Sequence, residues 1–296
     1  MPAIQVEDLR KSYGPVHAVQ GISFSVDAGE VFGLLGPNGA GKTTTVEILE
    51  GYRHRDAGHV KVLGEDPQSG GRRLKQRMGL VLQECAVLPY LSVSEIIDLY
   101  RGYYANPLPT ADVIELVGLA EKSDVRVRKL SGGLQRRLDL ALALVGDPEL
   151  VFLDEPTTGF DPSARRNAWE IVRDMRRLGK TILLTTHYMD EAQSLTDRVC
   201  VVSAGQVVRI GTPASLRAES SATRIQFVRP EGVEIPSVGE VVPGDDVGLV
   251  AMMTEKPTQA LHELTAWAVA RGLELARLEV SQPSLEDVYL ELTRGE

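Results

Sequence analysis

Several things are scarce in this sequence, and each scarcity narrows the reading. Only 2 cysteines occur in 296 residues, Cys85 and Cys200, and they stand far apart with no metal-ligand spacing. They read as reduced structural thiols of a reducing compartment, not as a framework of bridges. No apolar run approaches the roughly 18 residues of a membrane-spanning helix. The nearest, 138-LDLALALV-145, is short and bounded by charge. The opening residues MPAIQVEDLRKSYG lack the apolar core of a secretory leader, so a cytosolic location is expected. There is no long basic block, and the net charge is −9, which argues against nucleic acid as a partner. No internal repeat stands out.

What is present fits one large and one small domain. Charged residues make up 25% and hydrophobic residues 43% of the chain, an ordinary globular balance. The acidity is uneven. From Arg217 onward there are 7 basic and 14 acidic residues, against 25 and 27 in the first 216. That change places a boundary between domains at 1–216 and 217–296. In the first, 22-ISFSV-26 alternates at period two, while 31-VFGLLG-36 is a continuous apolar run suited to a strand buried on both faces. Further strands are predicted at 60–64, 79–83, 150–154, 181–186 and 199–205, with a helical insertion over about 84–145. An α/β core follows from this order. Beyond 217, strands at 223–228, 247–253 and 273–280 and helices at 257–271 and from about 284 predict a small α+β unit.

Three motifs carry chemistry. The run 36-GPNGAGKTT-44 (Gly36, Pro37, Asn38, Gly39, Ala40, Gly41, Lys42, Thr43 and Thr44) follows a buried strand and opens a helix. Its glycines let backbone N–H groups approach a phosphate chain, and the helix N-terminus adds partial positive charge. Lys42 is expected to contact the β- and γ-phosphates of ATP and Thr43 to ligate Mg²⁺. The strand 150-LVFLDE-155 ends in two carboxylates: Asp154 is placed to hold Mg²⁺ and Glu155 to orient and deprotonate water. Third, 130-LSGGLQRRL-138 sets Ser131 as a helix N-cap before Gly132 and Gly133, a second anion site that a single triphosphate does not need.

With these three motifs in this order, the sequence resembles the ATP-binding cassette family. The resemblance implies a P-loop NTPase fold, with a RecA-like core, an antiparallel β subdomain and a helical subdomain. It also implies that the Ser131 loop completes the site of a partner subunit in a homodimer. Leu134 stands where that family usually has glutamine, a departure beside the phosphate-binding Ser-Gly-Gly and not within it. By the same resemblance Tyr13 stacks on adenine, and Gln83 meets Mg²⁺ and water beside the transmembrane partner. Asp161 links the two sites, and His187 contacts the γ-phosphate and supports Glu155. More narrowly, 187-HYMDEAQSLTDRV-199, 209-RIGTPASL-216 and 284-SLEDVYLELT-293 resemble the daunorubicin-type drug-export ATPases, which work with a separate permease. That implies an ATP-hydrolysing exporter motor, held on the inner face of the membrane by its permease. Import, or a soluble cassette acting on ribosomes or DNA, are the rival readings. The latter generally carries two cassettes or a long coiled-coil insertion, and this chain has neither.

If Lys42 is the cation aimed at the phosphates, Lys42→Ala lowers both ATP affinity and turnover. Nucleotide binding and phosphate release on the purified variant check this, and near-normal turnover would remove the assignment.

Overall fold

The computed structural model describes residues 1–81, 88–230, 232–244 and 248–293. The chain divides into two compact units, Met1–Thr212 and Pro213–Glu296.

In the first unit β1 (Pro2–Tyr13) and β2 (Val16–Asp27) pair antiparallel around a turn at Gly14. They are followed by β3 (Val31–Leu35), α1 (Lys42–Leu49), β4 (Ala57–Val62), α2 (Gly71–Lys75) and β5 (Met78–Val81). A helical stretch holds α3 (Val93–Arg101), α4 (Thr110–Leu116) and α5 (Gly132–Leu144). The unit closes with β6 (Leu150–Asp154), α6 (Pro162–Arg177), β7 (Thr181–Thr186), α7 (Met189–Leu195), β8 (Arg198–Ser203) and β9 (Gln206–Gly211). One sheet has the order β5-β6-β7-β3-β8-β9, parallel throughout except for β9. A second, antiparallel sheet has the order β2-β1-β4.

Burial explains why β3, β6 and β7 read as unbroken apolar runs. Every residue of β3 and of β7 is buried, because both faces of the large sheet are covered. Successive residues serve opposite cores. Val151 and Leu153 of β6, with Ile182 and Leu184 of β7, pack against α3–α6. Leu150, Phe152 and Leu183 face the antiparallel sheet and α1, where Phe24 stacks on Phe32 with ring centroids 5.3 Å apart. The helical stretch opens cleanly: Ser92 and Glu95 form a reciprocal capping box at the start of α3. No helix among the described residues is long and apolar enough to cross a membrane.

The second unit contains α8 (Pro213–Glu219), β10 (Thr223–Val228), β11 (Glu240–Pro243), β12 (Leu249–Thr254), α9 (Pro257–Ala270), β13 (Glu279–Ser281) and α10 (Leu285–Thr293). Its antiparallel sheet runs β11-β12-β10-β13. Ile225, Phe227, Val250 and Met252 pack on Ala260 and Leu264 of α9. Their sheet neighbour Arg224 is buried and pairs with Asp287 of α10 at 2.7 Å. Leu285 and Val288, one turn apart on α10, are buried. The strand predicted over 273–280 shrinks to three residues. Arg277 takes a left-handed φ of 57°, and Leu278 N–H turns back to the Leu275 carbonyl, so the extended run starts only at Glu279.

All six strands of the large sheet lie ahead of Pro213, so a chain ended after Thr212 is expected to fold and bind ATP. Thermal melts and nucleotide titration of the two lengths test this. An insoluble short form would show that the second unit is needed for the first to fold.

Candidate functional site

The loop between β3 and α1 is shaped by backbone contact. A Cβ on Gly36 would lie 2.2 Å from the Val202 carbonyl oxygen. One on Gly41 would lie 2.3 Å from that of Ala18, at a φ of +96° where side chains are strained in any case. Pro37, Asn38 and Gly39 are exposed at the tip, and Ala40 is buried beneath them. Gly41 precedes α1 with no side-chain cap, so the first-turn N–H groups of α1 are left for an anion. Lys42 is buried and donates from Nζ to the carbonyls of Gly36 (2.7 Å) and Pro37 (3.1 Å). Burial pulls its pKa down, offset in part by Glu155 and Asp154. Thr43 is exposed on the same turn, and Thr44 is half-buried.

The parallel register brings β6 and β7 to this edge. Asp154 pairs with Thr185, whose hydroxyl donates to the Asp154 carboxylate. Burial pushes the Asp154 carboxyl up, with Thr185 opposing and the neighbouring Glu155 charge adding to the rise. A partly desolvated carboxylate next to a second one, with the exposed Thr43 hydroxyl on the first turn of α1, is oxygen donor chemistry of the kind Mg²⁺ takes. Glu155 follows directly on the strand with φ 45°, a left-handed conformation unusual for a side-chain-bearing residue. Its N–H is held by Thr185 Oγ1 at 3.0 Å, and its Oε2 accepts from the Thr158 hydroxyl at 3.0 Å. Its Oε1 lies 3.8 Å from Lys42 Nζ and 3.3 Å from His187 Nδ1. The histidine contact is close but misaligned, so Nδ1 is buried without a hydrogen-bond partner among the described residues. Lys42, Asp154, Glu155 and His187 therefore converge on one edge.

Ser131, Gly132 and Gly133 lie on a different wall. They line a cleft of about 630 Å³ with Arg136, Arg137, residues 158–161, Ser163 and Ala164 on its sides, and no phosphate-loop residue lines it. Ser131 occupies the N-cap position of α5, yet its side chain makes no capping hydrogen bond. Gly132 faces open space. Asp161 stands at the start of α6, where Oδ1 accepts from Ser163 and Ala164 N–H. Tyr13 ends β1, with Lys11 and Arg53 each 5.5 Å from its ring centroid. Gln83 lies outside the described residues.

Three buried groups near these residues were not foreseen. Arg136 donates to the carbonyls of Pro156 and Asp154, on either side of Glu155. Glu191, fully buried in α7, accepts from the Thr157 hydroxyl (2.9 Å) and from Trp169 Nε1 (3.1 Å). Glu50, closing α1, is buried, and its carboxyl is pushed up to about 8 by burial, with the Asp154 and Glu47 charges adding. A charged residue inside an otherwise apolar helical stripe, as in 46-VEILE-50, is the one local signal that could have flagged it.

Comparison with known proteins bears on the family and the fold. The family described as ABC transporter matches residues 19–158, and a C-terminal domain of ABC transporter domain-containing-like proteins matches 223–284. The chain is 39% identical to the Nod factor export ATP-binding protein I of Burkholderia orbicola, over 99% of this chain and 97% of that one. It is 37% identical to the daunorubicin resistance ATP-binding protein DrrA3 of Streptomyces coeruleorubidus, over 98% and 96%. Among solved structures it resembles CbiO1 of Clostridium perfringens, part of the ABC transporter complex cbiONQ. The TM-score is 0.66 at 28% identity, covering 74% of this chain and 91% of that one.

The raised Glu50 pKa has a definite sign. Folded protein keeps the proton up to about pH 8, while the unfolded chain loses it near 4.5. This contribution to stability is therefore full below pH 4.5, falls as pH climbs towards 8, and is flat above. Melts of the nucleotide-free and metal-free protein across that range should show the decline, and Glu50→Gln should flatten it. An unchanged slope in the variant would assign the effect elsewhere.

Proposed function

This chain belongs to the ATP-binding cassette family of transporter ATPases and hydrolyses ATP, and from that premise we propose that it is the homodimeric motor of an exporter whose pore is a separate permease. The carrying observation is the separation of the two anion-binding walls. The phosphate loop meets Glu155 and His187 at one edge, whereas the uncapped Ser131 loop opens into a cleft lined by none of the phosphate-loop residues. Two copies placed head to tail let each Ser131 loop close on the other's nucleotide. ATP then binds the closed dimer more tightly than the open one, and that difference in affinity is what drives closure.

Within one such site, backbone N–H groups of 36–44 hold the phosphates, and Lys42 leaves the Gly36 and Pro37 carbonyls for the β- and γ-phosphate oxygens. Thr43 and Asp154 are the residues that would hold Mg²⁺, which neutralises charge on the phosphates when bound; Gln83 joins them on the family resemblance alone. Glu155 orients a water in line with the γ-phosphorus and takes its proton as the oxygen–phosphorus bond forms and ADP departs. His187 supports Glu155 from 3.3 Å and turns its free Nδ1 towards the same space. Tyr13 offers an aromatic face to adenine, and Asp161, at the mouth of the second cleft, faces the partner. The names of the relatives favour export, and the site of action is the cytoplasmic face of the membrane, reached through the permease.

Size-exclusion chromatography with ATP, beside single-turnover hydrolysis, tests this reading on three proteins. Glu155→Gln keeps the shape but cannot accept the proton, so hydrolysis should fall by about 10²–10⁴-fold and an ATP-bound dimer should accumulate. Ser131→Arg should bind ATP as the wild type does, remain monomeric and not hydrolyse. Wild-type turnover in the first removes Glu155 as the base; lost monomer binding in the second removes the cross-subunit site.

A further inference from the structure

The main chain around Glu155 is held by a residue from outside its own strand. Arg136 lies just over one turn into α5, the helix that the Ser131 loop begins, and it is buried. Its Nε donates to the Pro156 carbonyl at 3.1 Å and its Nη2 to the Asp154 carbonyl at 3.4 Å. Those two carbonyls bracket Glu155. Nη1 faces Asp139 Oδ2 at 3.7 Å, one turn further along α5, so the guanidinium is oriented from its own helix. The planar fork fixes the two donors relative to each other, and with them the ends of the short segment in which Glu155 takes its left-handed φ of 45°. From the other side Thr185 holds the Glu155 N–H.

We propose that Arg136 is a positioning residue for Glu155 of its own subunit, setting the carboxylate where water is deprotonated. It rests on the reading of Glu155 as the base. The consequence is specific to the proposed dimer. The helix whose first turn closes on one nucleotide grips, through Arg136, the base that serves the other. A movement of α5 on engaging the partner's ATP is transmitted to the Glu155 turn by two hydrogen bonds, with no intervening loop. The two carbonyls that Arg136 holds belong to the Glu155 turn and not to the phosphate loop, so its effect is expected on turnover and not on nucleotide affinity.

The test uses Arg136→Met, Arg136→Lys, Glu155→Gln and the Arg136→Met/Glu155→Gln double variant in the full chain. Arg136→Met should keep the wild-type Kd for ATP and KM within about twofold while kcat drops about 10–100-fold, the loss expected for a misplaced reacting group. Arg136→Lys, which reaches one carbonyl with one charged donor, should recover part of that loss. It also serves as the informative variant if the methionine form does not fold. In the double variant, the residual rate should match that of Glu155→Gln alone, and the ATP-locked dimer should still form. Additive losses, or loss of that dimer, would show that Arg136 acts by shaping the Ser131 loop and overturn the proposal. A parallel fall in Tm, affinity and kcat in both arginine variants would assign it a merely structural role, with the same result. If Glu155→Gln itself turns over normally, the reading of the base fails and this inference falls with it. If Glu155→Gln is inactive while Arg136→Met is not, only the role of Arg136 is lost.

Discussion

A buried lysine organises the carboxyl edge of the large sheet. Lys42 is only 5% exposed, and an ammonium taken out of water must be met by oxygen. The chain meets it twice. Two loop carbonyls, Gly36 and Pro37, accept its protons directly, and Asp154 and Glu155 lie beyond them, with Glu155 at 3.8 Å. Glu155 makes only a loose ion pair with it, and the two carbonyls hold the ammonium more closely. An incoming polyphosphate can replace two neutral carbonyls at lower cost than it could break a buried ion pair. Close backbone packing at Gly36 and Gly41 makes this cradle rigid, because the loop rests on the carbonyls of Val202 and Ala18. The site is preformed by main-chain contact and tuned by burial.

The same need to hold charge at a sheet edge accounts for the network around Glu155. Thr185 gives its hydroxyl to Asp154 while accepting the Glu155 N–H, so one side chain fixes two adjacent acids. Thr158 reaches back to the Glu155 carboxylate, and Thr157 is anchored to the buried Glu191 of α7, which also holds Trp169 of α6. His187 begins the segment that leads into α7. The loop after Glu155 and α6 are therefore tied together by one buried carboxyl of α7. Burial raises the Glu191 pKa, and hydrogen bonds from Thr186, Thr157 and Trp169 oppose that rise.

Much of this was legible in the sequence because it is local. The strands 150–154, 181–186 and 223–228 fall where their apolar runs put them, and α1 starts at Lys42, where a Gly-rich turn meets a helix-forming stretch. What was not legible is long-range. Arg136 sits in a motif whose glycines draw attention, and nothing nearby announces that its partners are carbonyls 18 and 20 residues away. Glu191 and Trp169 are joined across 22 residues, and each alone resembles an ordinary helical position. β11 was missed because four residues ending in a proline carry too little alternation, and its pairing with β12 comes from the fold. The tail strand was overextended because an apolar run says nothing of the left-handed turn at Arg277 within it.

Two helix starts face the same cleft, and they solve the same problem in opposite ways. At α6, Asp161 takes up the N–H groups of Ser163 and Ala164 with its own carboxylate, leaving that terminus satisfied and negatively charged. At α5, Ser131 holds the N-cap backbone geometry but withholds its hydroxyl, and Gly132 adds no side chain to cover the exposed N–H groups. An isolated helix would be more stable with the cap made, by about 0.5–2 kcal/mol. The pair of choices makes the cleft asymmetric: an anion is repelled from α6 and drawn to α5. Under the cross-subunit site proposed above, the open terminus of α5 is the one that would meet the phosphate of a second copy, with the satisfied terminus of α6 beside it.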